Sequence, residues 1–170
     1  AARAPLRGRR VAVTRPREQA VALADELARM GAEVPVVPLV RIEPADGGEL
    51  GAALARLASY DWIVFTSANA VEAFMNAVLA GGRDLRTLKG PRLCTVGTGT
   101  AEKLARYGIN VDLVPDEFRA EGLVRAITAA GAGAGTRVLL PRADIGREVI
   151  AEELRRAGAH VTDVVAYRTV

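Results

Sequence analysis

The stretch "RVAVTRPREQAVALADELARMGAEVPVVPLVRI", residues 10–42, returns as "RVLLPRADIGREVIAEELRRAGAHVTDVVAYRT", residues 137–169, without a gap and at an offset of 127. Arg15 falls on Arg142, Glu26 on Glu153, Leu27 on Leu154, Gly31 on Gly158, Ala32 on Ala159 and Val34 on Val161. Self-similarity at a fixed offset marks a duplicated supersecondary unit. Each copy reads as strand, helix, strand. Leu23, Leu27 and Met30 lie at i, i+4 and i+7 on one helical face, and Ile150, Leu154 and Ala157 repeat that stripe. Gly31 and Gly158 stand where a helix end calls for a left-handed residue.

Between the copies the alternation continues. "DWIVF" (61–65) leads to a helix with Val71, Phe74, Met75, Val78 and Leu79 on one face, stopped at Gly81-Gly82. "RLCTV" (92–96) leads to "GTGTAEKLARYG", a helix ended by Gly108. "VDLVP" (111–115) leads to a helix around Ala120–Ala130, and "GAGAG" (131–135) is a flexible connection to the strand "RVLLP". Continuously apolar strands alternating with helices predict a parallel sheet covered on both faces, hence an α/β protein.

Two extended stretches, "VVPLVRIEP" (36–44) and "VVAYRTV" (164–170), occupy equivalent places in the repeat and flank everything between them. If they lie side by side, residues 45–162 form a closed unit inserted into a domain begun by residues 10–38. Residues 39–44 and 163–170 are then linkers, and residues 1–9 a basic tail. "DGGE" (46–49) reads as a capping box opening the first helix of the inserted unit.

Half of the 170 residues are hydrophobic and a quarter charged, the composition of a soluble globular chain. No apolar run approaches the ~20 residues of a membrane span, and no apolar segment follows the basic start, so a cytoplasmic protein without membrane contact is expected. One cysteine, Cys94, and one histidine, His160, leave no disulfide and no ordinary zinc or haem ligand set, so no metal site is expected. The formal charge is +3, with arginines spread along the chain and away from the seven aromatic residues; an anionic small molecule fits this better than nucleic acid. "GTGTAE" (97–102) lacks the third glycine of a dinucleotide fingerprint, and neither a phosphate loop nor a G-x-S-x-G elbow is present. His160 begins a strand, at the wrong end of a sheet for catalysis, and Cys94 reads as buried core.

Ligands of open parallel sheets bind beyond the C-terminal strand ends, where loops enter helices. The junctions are Thr14-Arg15, Thr66-Ser67-Ala68-Asn69, Gly97-Thr98-Gly99-Thr100 and Pro141-Arg142, all small, hydroxylic or cationic. Helix N-termini there offer amide donors and partial positive charge to carboxylates or phosphates. Each junction also reads as plain helix capping, with Asn69 and Glu72 as an N-cap and N3 pair; four together favour an anion site. Arg15 and Arg142, matched in the repeat, read either as carboxylate partners or as surface ion pairs. Tyr167 stands where the repeat has Val40, a polar-tipped aromatic in place of an aliphatic, suited to packing or to function.

The segments "VAVTRPREQA", "YDWIVFTSANAVEAF", "TVGTGTAEKL", "VPDEFRAEGL", "LLPRADIGREVIAEELRRAGAHV" and "VVAYRTV", in this order across nearly all of residues 10–170, resemble the uroporphyrinogen-III synthase family. The resemblance implies two flavodoxin-like parallel-sheet α/β domains joined by a two-stranded β-ladder, the second domain inserted into the first. Members continue past the tyrosine strand to complete the first domain, so that domain is expected to be incomplete here. It further implies a cofactor-independent lyase that cyclises hydroxymethylbilane, a linear tetrapyrrole with eight carboxylates, to uroporphyrinogen III with inversion of ring D and loss of water. The site would be the cleft between domains, with Tyr167 as the catalytic hydroxyl and Thr66 and Ser67 in catalysis or binding. Thr14, Arg15, Asn69, Gly97, Thr98, Gly99, Thr100 and Arg142 complete the expected substrate-binding set. A phenol is a weak acid at neutral pH, so Tyr167 is expected to position first and donate a proton second. Fusion to, or association with, other tetrapyrrole enzymes suits the basic tail. The alternative is a truncated, non-catalytic α/β module that binds anionic small molecules.

Overall fold

Four consecutive apolar residues, Trp62–Phe65, are buried at every position, as a strand covered on both faces requires. They form the second strand of a computed structural model that describes residues 4–46, 48–117, 119–146 and 149–170. In chain order the elements are α1 (Arg17–Arg29), β1 (Ile42–Pro44), α2 (Gly48–Ala55), β2 (Trp62–Phe65), α3 (Ala68–Ala80), β3 (Arg92–Thr95), α4 (Thr98–Ala105), α5 (Ala120–Ala129), β4 (Arg137–Ala143), α6 (Val149–Arg156) and β5 (His160–Thr169). The chain divides into two compact units: residues 1–43 with 169–170, and residues 44–168.

The sheet runs β1-β5-β4-β2-β3. β2 pairs in parallel with β3 and β4, and β4 in parallel with β5. β1 runs the other way, since Arg41 and Val170 exchange backbone hydrogen bonds and Ala45 donates to Ala166. The sheet is therefore mixed: β5-β4-β2-β3 is its parallel part, as expected, and the antiparallel β1–β5 pair sets side by side the two extended stretches that flank the rest of the chain. β5 is also one unbroken strand where a domain strand followed by a separate linker was expected. Residues 160–169 contain neither proline nor glycine, so nothing stops the strand between its two tasks.

In the larger unit, period-two alternation sends Trp62, Val64, Cys94, Val138 and Leu140 into one cluster with Leu123 and Ile127 of α5 and Ala151 and Leu154 of α6. Phe65, of opposite parity, meets Phe74 of α3 edge-to-face at 5.2 Å. Val71, Phe74, Met75 and Val78 are fully buried, whereas Leu79, expected on the same stripe, is half exposed. Asp61 ties three strand starts together: its carboxylate accepts from the Arg137 amide, its own amide donates to the Arg137 carbonyl, and its carbonyl accepts from the Arg92 amide. "VDLVP" does not extend as a strand. It forms one bridge, Cys94 to Leu113, because the Asp112 carboxylate takes the Leu93 amide that a ladder would use, and Pro115 follows. The capping box at 46–49 includes Gly47, outside the described residues; the Asp46 carboxylate pairs with Arg168 at 3.0 Å, and α2 opens at Gly48.

In the smaller unit, residues 10–13 and 33–36 make isolated parallel bridges, Arg10 with Glu33 and Val13 with Val36. Pro35 and Pro38 lack amides, which keeps the pairing from becoming full strands. The register nevertheless repeats: β4 and β5 pair Arg137 with His160 and Leu140 with Asp163, the same partners displaced by 127 residues. Gly31 at φ 94° and Gly158 at φ 92° end the matching helices, as left-handed stops should.

Candidate functional site

Because β2, β3, β4 and β5 are parallel, their C-terminal ends share one edge of the sheet, where the expected junctions sit. At the end of β2 the backbone stays extended through Ser67 (φ −154°, ψ 156°) and then turns into α3. Ser67 Oγ accepts from the Ala70 amide at 3.1 Å, so Ser67 is the N-cap. Asn69, expected to cap, lies inside the first turn: the extended residue before the turn, not the asparagine after it, has the geometry to reach back to N3. Glu72 instead accepts from Lys103 Nζ at 2.7 Å, tying the first half of α3 to the last turn of α4.

Ser67 Oγ also lies 3.1 Å from the Tyr167 hydroxyl. Tyr167 as a whole is 7% exposed, and its contact with Ser67 is partly buried. What aims it is a bulge in β5: Arg142 faces Val165, but Ala143 faces Tyr167, so Ala166 is an extra residue. Ala166 and Tyr167 are consecutive and both buried, as residues of a strand covered on both faces are.

Arg142, at the same edge, directs Nε to Asp163 Oδ1 at 2.6 Å and Nη1 to the carbonyls of Ala143 and Asp144 at 2.8 and 3.4 Å. Its side chain is 18% exposed and that of Asp163 11%, so this is a shielded ion pair, not the surface pair of the bland expectation. At the β3–α4 turn, Gly97 is the extended N-cap without a side-chain bond, Thr98 and Gly99 are exposed, and Thr100 is buried. The wholly buried Thr95 holds that turn by donating to the Gly97 carbonyl at 3.3 Å. Thr66 is half-buried beside Ser67. The expected residues of the larger unit thus gather at one edge, with Ser67 and Tyr167 in direct contact. Thr14 and Arg15 are exposed at the equivalent junction of the smaller unit.

A hollow at the opposite edge, among Tyr60, Asp61, Trp62, Arg92 and Thr136, offers little chemistry. Its cation is committed, stacked over Trp62 at 4.2 Å and donating to the Ala130 carbonyl. Burial pushes the Cys94 thiol up to about 12, so it is protonated core, as the sequence predicts. His160 is exposed at the start of β5. Among the described residues no group of acidic, histidine or cysteine side chains could hold a metal ion, and no helix is long and apolar enough to cross a membrane.

Asp163 and Lys103 escaped the sequence reading. Asp163 was detectable: it replaces Val36 of the first copy, a carboxylate in an otherwise apolar place. Lys103 carries no such signal.

The family described as "Uroporphyrinogen-III synthase HemD" matches residues 21–170. Uroporphyrinogen-III synthase of Synechococcus elongatus is 36% identical over 167 residues, covering 97% of this chain and 62% of the relative. Porphyrin biosynthesis protein HemD of Ruminiclostridium josui is 32% identical over 166 residues, 97% of this chain and 33% of the relative. The crystal structure of a mutant uroporphyrinogen III synthase from Thermus thermophilus superposes with a TM-score of 0.66 at 21% identity, over 96% of this chain and 63% of that one. At that identity the likeness is one of fold. The chain spans about three fifths of the length of the synthase it matches in Synechococcus elongatus.

Proposed function

Because the chain belongs to the uroporphyrinogen-III synthase family, we propose that it takes part in closing hydroxymethylbilane to uroporphyrinogen III, with inversion of ring D and loss of water. The observation that carries this is the 3.1 Å contact between Ser67 and Tyr167 at the ligand-binding edge of the sheet. Two hydroxyls hold two protons, and their mutual bond uses one. Since Ser67 already accepts from Ala70, whichever hydroxyl donates within the pair, one proton remains for a third partner. In this reading that proton goes to the departing hydroxyl of the substrate, which leaves as water when the carbon–oxygen bond breaks. The methylene left behind is electrophilic, and ring D attacks it through its substituted carbon to give a spiro intermediate. The older bond from that carbon to the ring C bridge then breaks and re-forms at the free α-carbon of ring D, which loses its proton, so that the ring is inverted and one water is lost in all. The substrate closes unaided to the wrong isomer, so the protein's task is chiefly orientation.

The carboxylate arms are assigned to the helix starts. The N-terminus of α3 behind Ser67 and that of α4 at Gly97, Thr98 and Gly99 supply amides and partial positive charge. A Cβ at Gly99 would meet nothing within 4 Å, so no neighbouring side chain explains a glycine in a helix, where it costs about 1 kcal/mol relative to alanine. The open backbone there leaves room for close approach of a ligand. Thr100 is buried and serves packing in this scheme. We further assign residues 44–168 to an inserted domain and the smaller unit to the opening βαβ of a domain that a longer chain completes. The match to only 62% of a synthase's length supports this, as do the exposed Leu39 (70%) and Val21 (59%). Cytoplasmic location and association with other tetrapyrrole enzymes belong to the same proposal.

That open apolar side also favours a second reading, ligand binding without turnover. Incubation with hydroxymethylbilane, oxidation and separation of the isomers decides between them. Type III product above the spontaneous type I background supports catalysis; type I alone removes it. Tyr167→Phe and Ser67→Ala are expected to lower type III formation about 10- to 100-fold by loss of orientation, and unchanged turnover in both would dismiss the hydroxyl pair.

A further inference from the structure

We propose that Arg142 and Asp163 form a clamp across the β5 bulge that sets the aim of the Tyr167 hydroxyl, so that Arg142 is a positioning residue and not a partner of substrate carboxylates. The assignment rests on the reading of Ser67 and Tyr167 as the reacting hydroxyls. The guanidinium reaches back to Asp163, before the bulge, through Nε at 2.6 Å. It reaches forward to the carbonyls of Ala143 and Asp144 through Nη1. Those two residues hold Tyr167: Ala143 is its strand partner, and the Asp144 amide donates to the Tyr167 carbonyl at 3.0 Å. One planar fork therefore spans the place where the register slips by a residue.

Both side chains are largely shielded from water, and removing one partner of such a pair strands the other charge. A lysine could not replace the arginine. An ammonium is a single point of charge, whereas this contact needs separate nitrogens aimed at a carboxylate on one strand and carbonyls on the next. The repeat points the same way. Arg15 matches Arg142, but Val36 stands where Asp163 would be and Val40 where Tyr167 would be, so the acid and the tyrosine occur together in one copy and are both absent from the other.

The chain has three tyrosines, Tyr60, Tyr107 and Tyr167, so uniform 3-fluorotyrosine labelling gives a ¹⁹F spectrum with three resonances, that of Tyr167 assigned by Tyr167→Phe. Arg142→Gln, Arg142→Lys and Asp163→Asn are each expected to displace the Tyr167 resonance, on the scale set by Ser67→Ala, and to leave those of Tyr60 and Tyr107 in place. Asp163→Asn conserves volume, so it carries the test if an arginine variant does not fold. An unmoved Tyr167 resonance in the folded variants overturns the proposal. In the hydroxymethylbilane assay the same variants should lower kcat about 10- to 100-fold with KM within about twofold. A raised KM with unchanged kcat would instead make Arg142 a substrate contact and also overturns it. The spectrum needs no turnover, so a wild-type chain without type III product would defeat the synthase reading and leave the clamp standing on the ¹⁹F result.

Discussion

Leu27 and Leu154 occupy the same place in the two copies of the repeat, follow the same strand, and precede the same left-handed glycine, yet their surroundings differ. Leu154 is fully buried against α5 and the sheet; Leu27 is partly exposed, and around it Val21, Leu23, Val37 and Leu39 are exposed too. Local geometry is thus a property of the βαβ unit alone: bridges, helix stop and the ion pair between Glu26 and Arg29, repeated as Glu153 with Arg156, all recur. Packing is not. It depends on what lies over the helix, and only the second copy has α5 beside it among the described residues.

The comparison breaks most readily at the leucines. Leu154→Ala should cost about 2–5 kcal/mol in urea unfolding, the range for a fully buried leucine, whereas Leu27→Ala should cost about 1 kcal/mol or less. Equal losses would mean that the first copy is covered after all. In a chain carried on to the full length of the relatives, the Leu27 cost should rise toward that of Leu154.

Backbone effects should be alike in both copies. Gly31→Ala and Gly158→Ala each place a Cβ at positive φ, at about 1–2 kcal/mol. The new Cβ would meet Ala4 at 2.9 Å in the first case and the Ala134 backbone at 3.1 Å in the second. The closer contact is at Gly31, where the Arg7 backbone also lies 3.2 Å away, so any inequality should fall on that glycine.

The weakest contrast is electrostatic. Arg29→Ala and Arg156→Ala should each change stability by no more than about 0.5 kcal/mol, as exposed i,i+3 pairs do, and titration with salt should erase what difference there is.

Patterns that depend on neighbours in the chain were legible in the sequence: the duplicated unit, the buried stripe from Val71 to Val78, the glycine stops and the burial of Cys94. Features that depend on a partner far along the chain were not. Leu79 reads as core because helical period cannot tell where a stripe runs past its cover. "VDLVP" reads as a strand because nothing local reveals that Asp112 takes Leu93's amide. Asn69 reads as a cap because the cap preference of asparagine is local, while the extended backbone at Ser67 comes from β2. In the candidate site, Ser67 and Tyr167 were each visible as polar residues in strand-end positions, but their contact joins residues a hundred apart in sequence. It lies where a bulge shifts the register at the tyrosine. Bulges leave no mark in composition, and nothing local ties Arg142, which reads either as a carboxylate partner or as a surface ion pair, to Asp163 and to the carbonyls of Ala143 and Asp144.

The chain enters the larger unit at Pro44 and leaves it at Arg168, and the Ala45 amide is bonded to the Ala166 carbonyl just inside those two crossings. Its ends are neighbours. A module with adjoining ends can be cut from one gene and spliced into a surface loop of another host without stretching either, so residues 44–168 are suited to excision, transplantation and circular permutation as a single cassette.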